Sequence, residues 1–121
     1  MSIRLETDRS GRRVLLTVSD DHHSAEALAE LLAALHWTRV DEIVVDLSRL
    51  DAIDMRVAVV LAKAVRHHGD IGRRVLLVCP RDESACPLRT VGLDAGTICS
   101  SLTEAGWYGA RPPGALSEVG A

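Results

Sequence analysis

Five aspartates of this 121-residue sequence are candidates for acid–base chemistry at a shared site: Asp20, Asp21, Asp46, Asp51 and Asp54. They lie where apolar runs end or helical patterns begin, so they could converge at the ends of strands. Paired carboxylates can transfer protons or hold a metal ion, but a hydrolase also needs a nucleophile or that metal. The motifs that would supply one, G-x-S-x-G, the P-loop and H-E-x-x-H, are missing from the sequence. We therefore interpret the aspartates as helix caps and turn formers and predict that the protein is not an enzyme.

Histidine and cysteine are the next candidates for chemistry. The histidine pairs, His22-His23 and His67-His68, are adjacent in sequence, and adjacent side chains on a helix point about 100° apart, so neither pair makes a clamp for a metal ion. Cys79, Cys86 and Cys99 are odd in number and lack C-x-x-C spacing. We predict reduced thiols, no metal site and no cofactor.

Composition narrows the class of protein. Hydrophobic residues make up 47% of the chain, which is enough to bury a core, and Phe is absent. The net charge of -3 gives no support for nucleic-acid binding. Met1 leads into alternating polar and apolar residues, which is unlike a secretory signal, and no apolar run is long enough to span a membrane. We expect a cytoplasmic protein without direct membrane insertion.

The periodicity of apolar residues predicts the element order β-β-α-β-α-β-α-β. Short links between alternating strands and helices favour an α/β domain with a mixed, mostly parallel sheet, an antiparallel N-terminal edge strand and helices packed on the sheet. The predicted strands are Ser2–Asp8, Arg13–Val18, Glu42–Leu47, Arg74–Cys79 and Thr97–Leu102, and the predicted helices are Ala25–Trp37, Met55–His68 and Glu83–Val91.

Several residues are predicted to begin or end these helices. Asp21 or Ser24 could cap the first helix and Asp54 the second. Gly69 is the expected C-cap of the second helix, and Pro87 should sit in the first turn of the third or shorten it. We expect one domain over residues 1–108 and a flexible C-terminal tail over residues 109–121.

The predicted topology brings two loops to one edge of the sheet. The loops Asp20–Ser24 and Arg49–Asp54 follow the second and third strands, whose carboxyl ends share that edge, where sites of such sheets lie. Met55 and Arg56 begin the helix after the second loop. A cation is disfavoured in a first helical turn, so Arg56 is either tolerated there or has an acidic partner.

Three stretches resemble the STAS domain family, in particular the bacterial anti-sigma factor antagonists. Residues Asp21–Leu28 are similar to the family's Asp-His-His-Thr-Ala-Glu-type helix start. The strand and loop from Val44 to Asp54 are similar to those that lead to the family's Asp-Ser-Ser/Thr-Gly motif. Residues Arg89–Asp94 resemble the Thr/Ser-Gly-Leu segment before its last strand. The three lie in register between Ile3 and Leu102 with a matching element order.

The resemblance implies a switch protein that binds an anti-sigma factor, an ATP-binding serine kinase, until that kinase phosphorylates a serine after the conserved aspartate. This sequence departs from the motif. Asp54 matches the aspartate, but Met55, Arg56 and Val57 follow it, and no hydroxyl lies between Ile53 and Lys63. Phosphorylation at the family position is therefore excluded, and Ser24 and Ser48 are nearby hydroxyls that nothing marks as substitutes.

Two functions follow from the resemblance. The first is an anti-sigma factor antagonist-like module that cannot be switched off at this site and binds an anti-sigma factor or a related kinase. Its predicted partner-binding residues are Asp21, His22, Ser24, Asp54, Met55 and Arg56. The second is a STAS subunit of a larger assembly, such as a transport ATPase complex. Binding of a small ligand or nucleotide is a third possibility without a motif behind it, and the oligomeric state is left open.

Overall fold

The elements follow the predicted order. The structure, a computed structural model, describes residues 3–19, 24–94 and 96–107, with only the backbone of Ser24. The strands are β1 Ile3–Thr7, β2 Arg13–Val18, β3 Glu42–Asp46, β4 Arg74–Val78 and β5 Ile98–Cys99. The helices are α1 Ser24–Leu35, α2 Met55–Asp70 and α3 Asp82–Thr90.

The five strands form one sheet in the order β1-β2-β3-β4-β5. β1 pairs antiparallel with β2, with Leu5 opposite Leu16. The other three pairings are parallel, and they align Leu15, Val44 and Leu76 across the sheet. The predicted mixed, mostly parallel sheet with an antiparallel N-terminal edge is thereby confirmed.

Both faces of the sheet are buried. Successive side chains of a strand point to opposite faces, and each face has its own apolar cluster. Ile43 and Val45 belong to the larger cluster, together with residues of all three helices. The three helices therefore lie on the same face, as expected when crossovers of one hand join successive neighbouring strands. Val44 points to the other face, where Ala105 and Trp107 of the segment after β5 cover it.

Glycines with positive φ follow two of the helices, Gly72 after α2 and Gly92 after α3. At the end of α2 the N–H of Gly72 donates to the carbonyl of Gly69, and that of Arg73 to the carbonyl of His68, which is the Schellman arrangement. The prediction that Gly69 is the C-cap is wrong. Gly69 lies inside α2, since regular helix continues to Asp70 and the left-handed conformation falls at Gly72.

Two further expectations need correction. Pro87 lies beyond the first turn of α3, because the helix starts at Asp82 and continues past the proline to Thr90. The fifth strand is only two residues long, and a hydrogen-bonded turn follows it over residues 101–106. The predicted tail, residues 109–121, lies outside the described residues. In the described part of the chain, no helix combines the length and apolar character needed to cross a bilayer.

Candidate functional site

The loop from β3 to α2 begins with a buried aspartate. Asp46 ends β3, and its Oδ1 accepts the N–H of Ser48 at 3.0 Å. The N–H of Leu50 donates to the carbonyl of Leu47 at 3.1 Å and closes the turn. The structure thus confirms the interpretation of Asp46 as a turn former.

Asp54 is the N-cap of α2, as predicted. Its backbone is extended, with φ -69° and ψ 143°, and its Oδ1 accepts the N–H of Arg56 at 2.7 Å. Ile53 before the cap and Ala58 in the first turn are both buried in the larger cluster, which is the arrangement of a hydrophobic staple. The hydrogen bond from Arg56 N–H lowers the pKa of Asp54, since it stabilises the carboxylate.

The acidic partner of Arg56 is the cap of its own helix. The guanidinium turns back, so that Nη2 lies 3.3 Å from Asp54 Oδ2 and Nε lies 3.4 Å from Oδ1. This pairing raises the pKa of Arg56, and the charge of Glu26 in the first turn of α1 acts in the same direction.

Met55 lies beside this ion pair as the first residue of α2, with 45% of its surface exposed. None of the sixteen residues of α2 carries a hydroxyl group. The start of α2 therefore displays an apolar side chain, a carboxylate and a guanidinium on one exposed tip. It offers no hydroxyl group that a serine kinase could phosphorylate within the helix.

The predicted site is only partly described. The structure brings together Asp54, Met55 and Arg56. Ser24 begins α1, but its side chain is outside the described part, as are Asp21 and His22. Ser48 is exposed on the loop after β3.

Two residues that the sequence reasoning missed lie at the other end of the helices. The sequence reasoning weighed His68 as a possible metal ligand, but the side chain is buried, and its Nε2 lies 3.0 Å from the carbonyl oxygen of Leu32 in α1. The spacing from Leu61 through Ala64 to His68 follows one helical face and could have indicated this burial. Arg73 lies next to it and donates to carbonyls at the end of α1. No local pattern marks that contact.

The fold and the site together define a STAS-type domain, with a single sheet, helices on one face and a capped helix start at the carboxyl edge of the strands. The protein-family model described as "Mlab, STAS domain" matches residues 3–104. The chain belongs to this STAS domain family. No curated protein matches the chain in sequence.

Solved structures of anti-sigma factor antagonists have the same fold. An RsbS variant from Moorella thermoacetica superposes with a TM-score of 0.73 at 19% identity, over 86% of this chain and 91% of that one. Unphosphorylated SpoIIAA superposes with a TM-score of 0.71 at 19% identity, over 87% and 92% of the two chains. A structure of the stressosome contains a chain with a TM-score of 0.66 at 20% identity, over 84% and 90%. At these identities the likeness concerns the fold.

Proposed function

We propose that this STAS domain is a non-catalytic regulatory protein-binding module, similar to anti-sigma factor antagonists, that phosphorylation cannot switch at the start of α2. The observation that carries the proposal is the exposed tip of Asp54, Met55 and Arg56 on a helix without hydroxyl groups. The partner is an anti-sigma factor or a related ATP-binding serine kinase, and the protein acts in the cytoplasm. Asp21, His22 and Ser24 complete the proposed contact surface.

The chemistry of this tip suits protein recognition. Met55 offers a flexible, polarizable side chain that adapts to an apolar pocket. Arg56 is held by Asp54, so less side-chain freedom is lost when the remaining guanidinium donors bind a carboxylate of a partner. Both charges are exposed, so we expect them to affect specificity and association rate more than affinity.

Titration calorimetry with a candidate anti-sigma kinase tests the proposal. We expect the protein to bind the kinase equally well before and after incubation with ATP. Arg56→Glu should weaken binding about tenfold, because it replaces an attraction by a repulsion and releases Asp54. Arg4→Glu, on the exposed side of β1, is the matched control and should bind like the unaltered protein.

Restoring hydroxyl groups at the family position sharpens the test. In the double variant Met55→Ser, Arg56→Ser, ATP should produce phosphoprotein and loss of kinase binding, because phosphate adds about -1.5 to -2 charges to the contact surface. The unaltered protein should stay unmodified in mass spectrometry. Phosphate on Ser24 or Ser48 of the unaltered protein would contradict an unswitched module.

A STAS subunit of a larger assembly is the second candidate. The observation that favours it is that large apolar side chains are exposed outside the tip of Asp54, Met55 and Arg56. Val59 has 41% and Trp37 has 85% of its surface exposed. Neighbouring genes discriminate between the two candidates. Sigma and anti-sigma factor genes favour the regulator, and an operon for an ABC transporter favours the assembly subunit.

A further inference from the structure

An open groove of 410 Å³ runs between the C-terminal halves of α1 and α2, away from the start of α2. Its floor is built from small and aliphatic side chains, and its polar lining carries no carboxylate among the described residues. The floor consists of Ala29, Leu32, Ala33, Val60 and Ala64, and the rest of the lining of His36, Trp37, Lys63, His67 and His68.

Trp37 stands at one end of this groove with 85% of its surface exposed. Its backbone is nevertheless held in place. The guanidinium of Arg73 donates to the carbonyls of Leu35 at 2.6 Å, of His36 at 3.2 Å and of Thr38. An exposed indole on a backbone held in this way is a favourable anchor for a partner, because its rigid ring buries a large area and has few rotatable bonds to fix.

Among the described residues that line the groove, the one with a formal charge is a lysine. Lys63 is exposed, and no carboxylate in the described part of the chain forms an ion pair with it. His36 and His67 also line the groove. The exposed carboxylates of α1, Glu26 and Glu30, do not line the groove. The groove therefore complements a surface that carries carboxylates beside apolar side chains.

We propose that this groove is a second docking site, separate from the start of α2, for an acidic amphipathic helix of a partner protein. Such a helix places apolar side chains at positions i, i+3, i+4 and i+7 in a groove between two helices. The alanines of the floor let its backbone approach closely. A carboxylate at the edge of the apolar face pairs with Lys63, and Trp37 covers the end of the docked helix.

Two synthetic peptides test the proposal with the full chain. Both are held helical by a side-chain staple and carry leucines along one face, flanked by glutamates in the first and by lysines in the second. We expect the Leu/Glu peptide to bind saturably, with a dissociation constant on the order of 100 μM. It should shift the amide resonances of the groove in NMR spectra and move the fluorescence of Trp37 to shorter wavelength. The Leu/Lys peptide should bind at least about fivefold more weakly at low salt.

Variants separate this groove from the start of α2. Lys63→Glu should reverse the preference between the two peptides, and Trp37→Ala should weaken the Leu/Glu peptide. Arg4→Glu and Arg56→Glu should leave peptide binding unchanged. The two proposals are therefore tested separately: peptide binding tests the groove, and kinase binding tests the start of α2.

Four results would overturn the proposal. They are no binding of either peptide below about 1 mM, equal binding of both, resonance shifts at the start of α2 instead of the groove, and self-association. In the last case, sedimentation would show a dimer that Trp37→Ala dissociates, and a second copy of the chain would be the occupant.

Discussion

His68 has both ring nitrogens in contact with other groups. Nε2 lies 3.0 Å from the carbonyl oxygen of Leu32, which can only accept, so Nε2 carries the proton. Nδ1 lies 3.2 Å from Nη1 of Arg73 and accepts a hydrogen bond from it. Burial lowers the pKa of His68, and the charge of Arg73 lowers it further. Protonation would place an N–H group against the guanidinium, so the site requires the neutral imidazole.

The free energy of unfolding should therefore depend on pH through His68. Because its pKa is lower in the folded state, the unfolded chain binds the proton first. The contribution of His68 to the free energy of unfolding is fully present above the unfolded pKa of about 6.5. It falls as the pH drops below that value, until His68 is protonated in the folded state too. Urea unfolding between pH 8 and pH 5 measures this loss.

Two glutamine variants isolate the contribution of His68. In His68→Gln the amide can still donate to Leu32 and accept from Arg73, but it does not titrate, so the loss of stability towards pH 5 should shrink. In His67→Gln, at the exposed neighbour, it should persist. An unchanged pH dependence in His68→Gln would show that other groups cause it.

At the scale of elements, local patterns predicted the order of the strands and helices, because apolar runs and the 3.6-residue period are encoded within a few positions. They did not predict that the fifth strand is only two residues long. The cap at Asp54 was predictable for the same reason. The contacts of His68 with Leu32 and of Arg73 with Leu35 join residues 36 and 38 positions apart, which no local pattern encodes.

The end of α2 shows how such contacts decide local structure. Two glycines, Gly69 and Gly72, could supply the left-handed residue. The one that does so places Arg73 directly after it, where the guanidinium reaches the carbonyls of α1. The groove between α1 and α2 was unpredicted for the same reason, since it exists only once the two helices pack.

Pro87 lowers the stability of α3, and a substitution can remove this effect. As the sixth of nine residues in α3, it cannot donate to the carbonyl of Glu83 one turn earlier. We expect Pro87→Ala to raise the free energy of unfolding by about 1–2 kcal/mol, less than the full helix penalty because proline also restricts the unfolded chain. Urea denaturation measures the change.

Cys86→Ala, at the exposed neighbouring position, is the control. Its free energy of unfolding should lie within about 0.5 kcal/mol of that of the unaltered protein. A loss of stability in Pro87→Ala would show that the chain restriction dominates.

At the scale of the whole molecule, residues 101–107 cover the face of the sheet that lies opposite the helices. Trp107 is 5% exposed and packs with Leu15, Val44 and Leu76. Arg13 at the start of β2 holds the segment, since it donates to the carbonyl of Gly106 at 2.8 Å and lies 5.5 Å from the centre of the Trp107 ring.

The two tryptophans provide a matched test of this arrangement. Trp107→Ala should lower the free energy of unfolding by about 3–5 kcal/mol, because it removes the largest side chain over that face. Such a loss is a large part of the total stability of a small domain. Trp37→Ala, at the exposed position, should change it by no more than about 0.5 kcal/mol. Denaturant titrations followed by circular dichroism compare the two, and equal losses would contradict the assigned burial.

The order of the strands in the sheet follows their order in the chain, and this has a consequence for synthesis on the ribosome. Each new strand can pair with the one made just before it, so the helix-bearing face can assemble as the chain emerges. In the described part of the chain, the opposite face is covered by residues 101–107, which are made after all five strands. We therefore expect nascent chains that end before Trp107 to display a bare apolar sheet, which makes these unfinished chains the species most prone to aggregate or to engage chaperones.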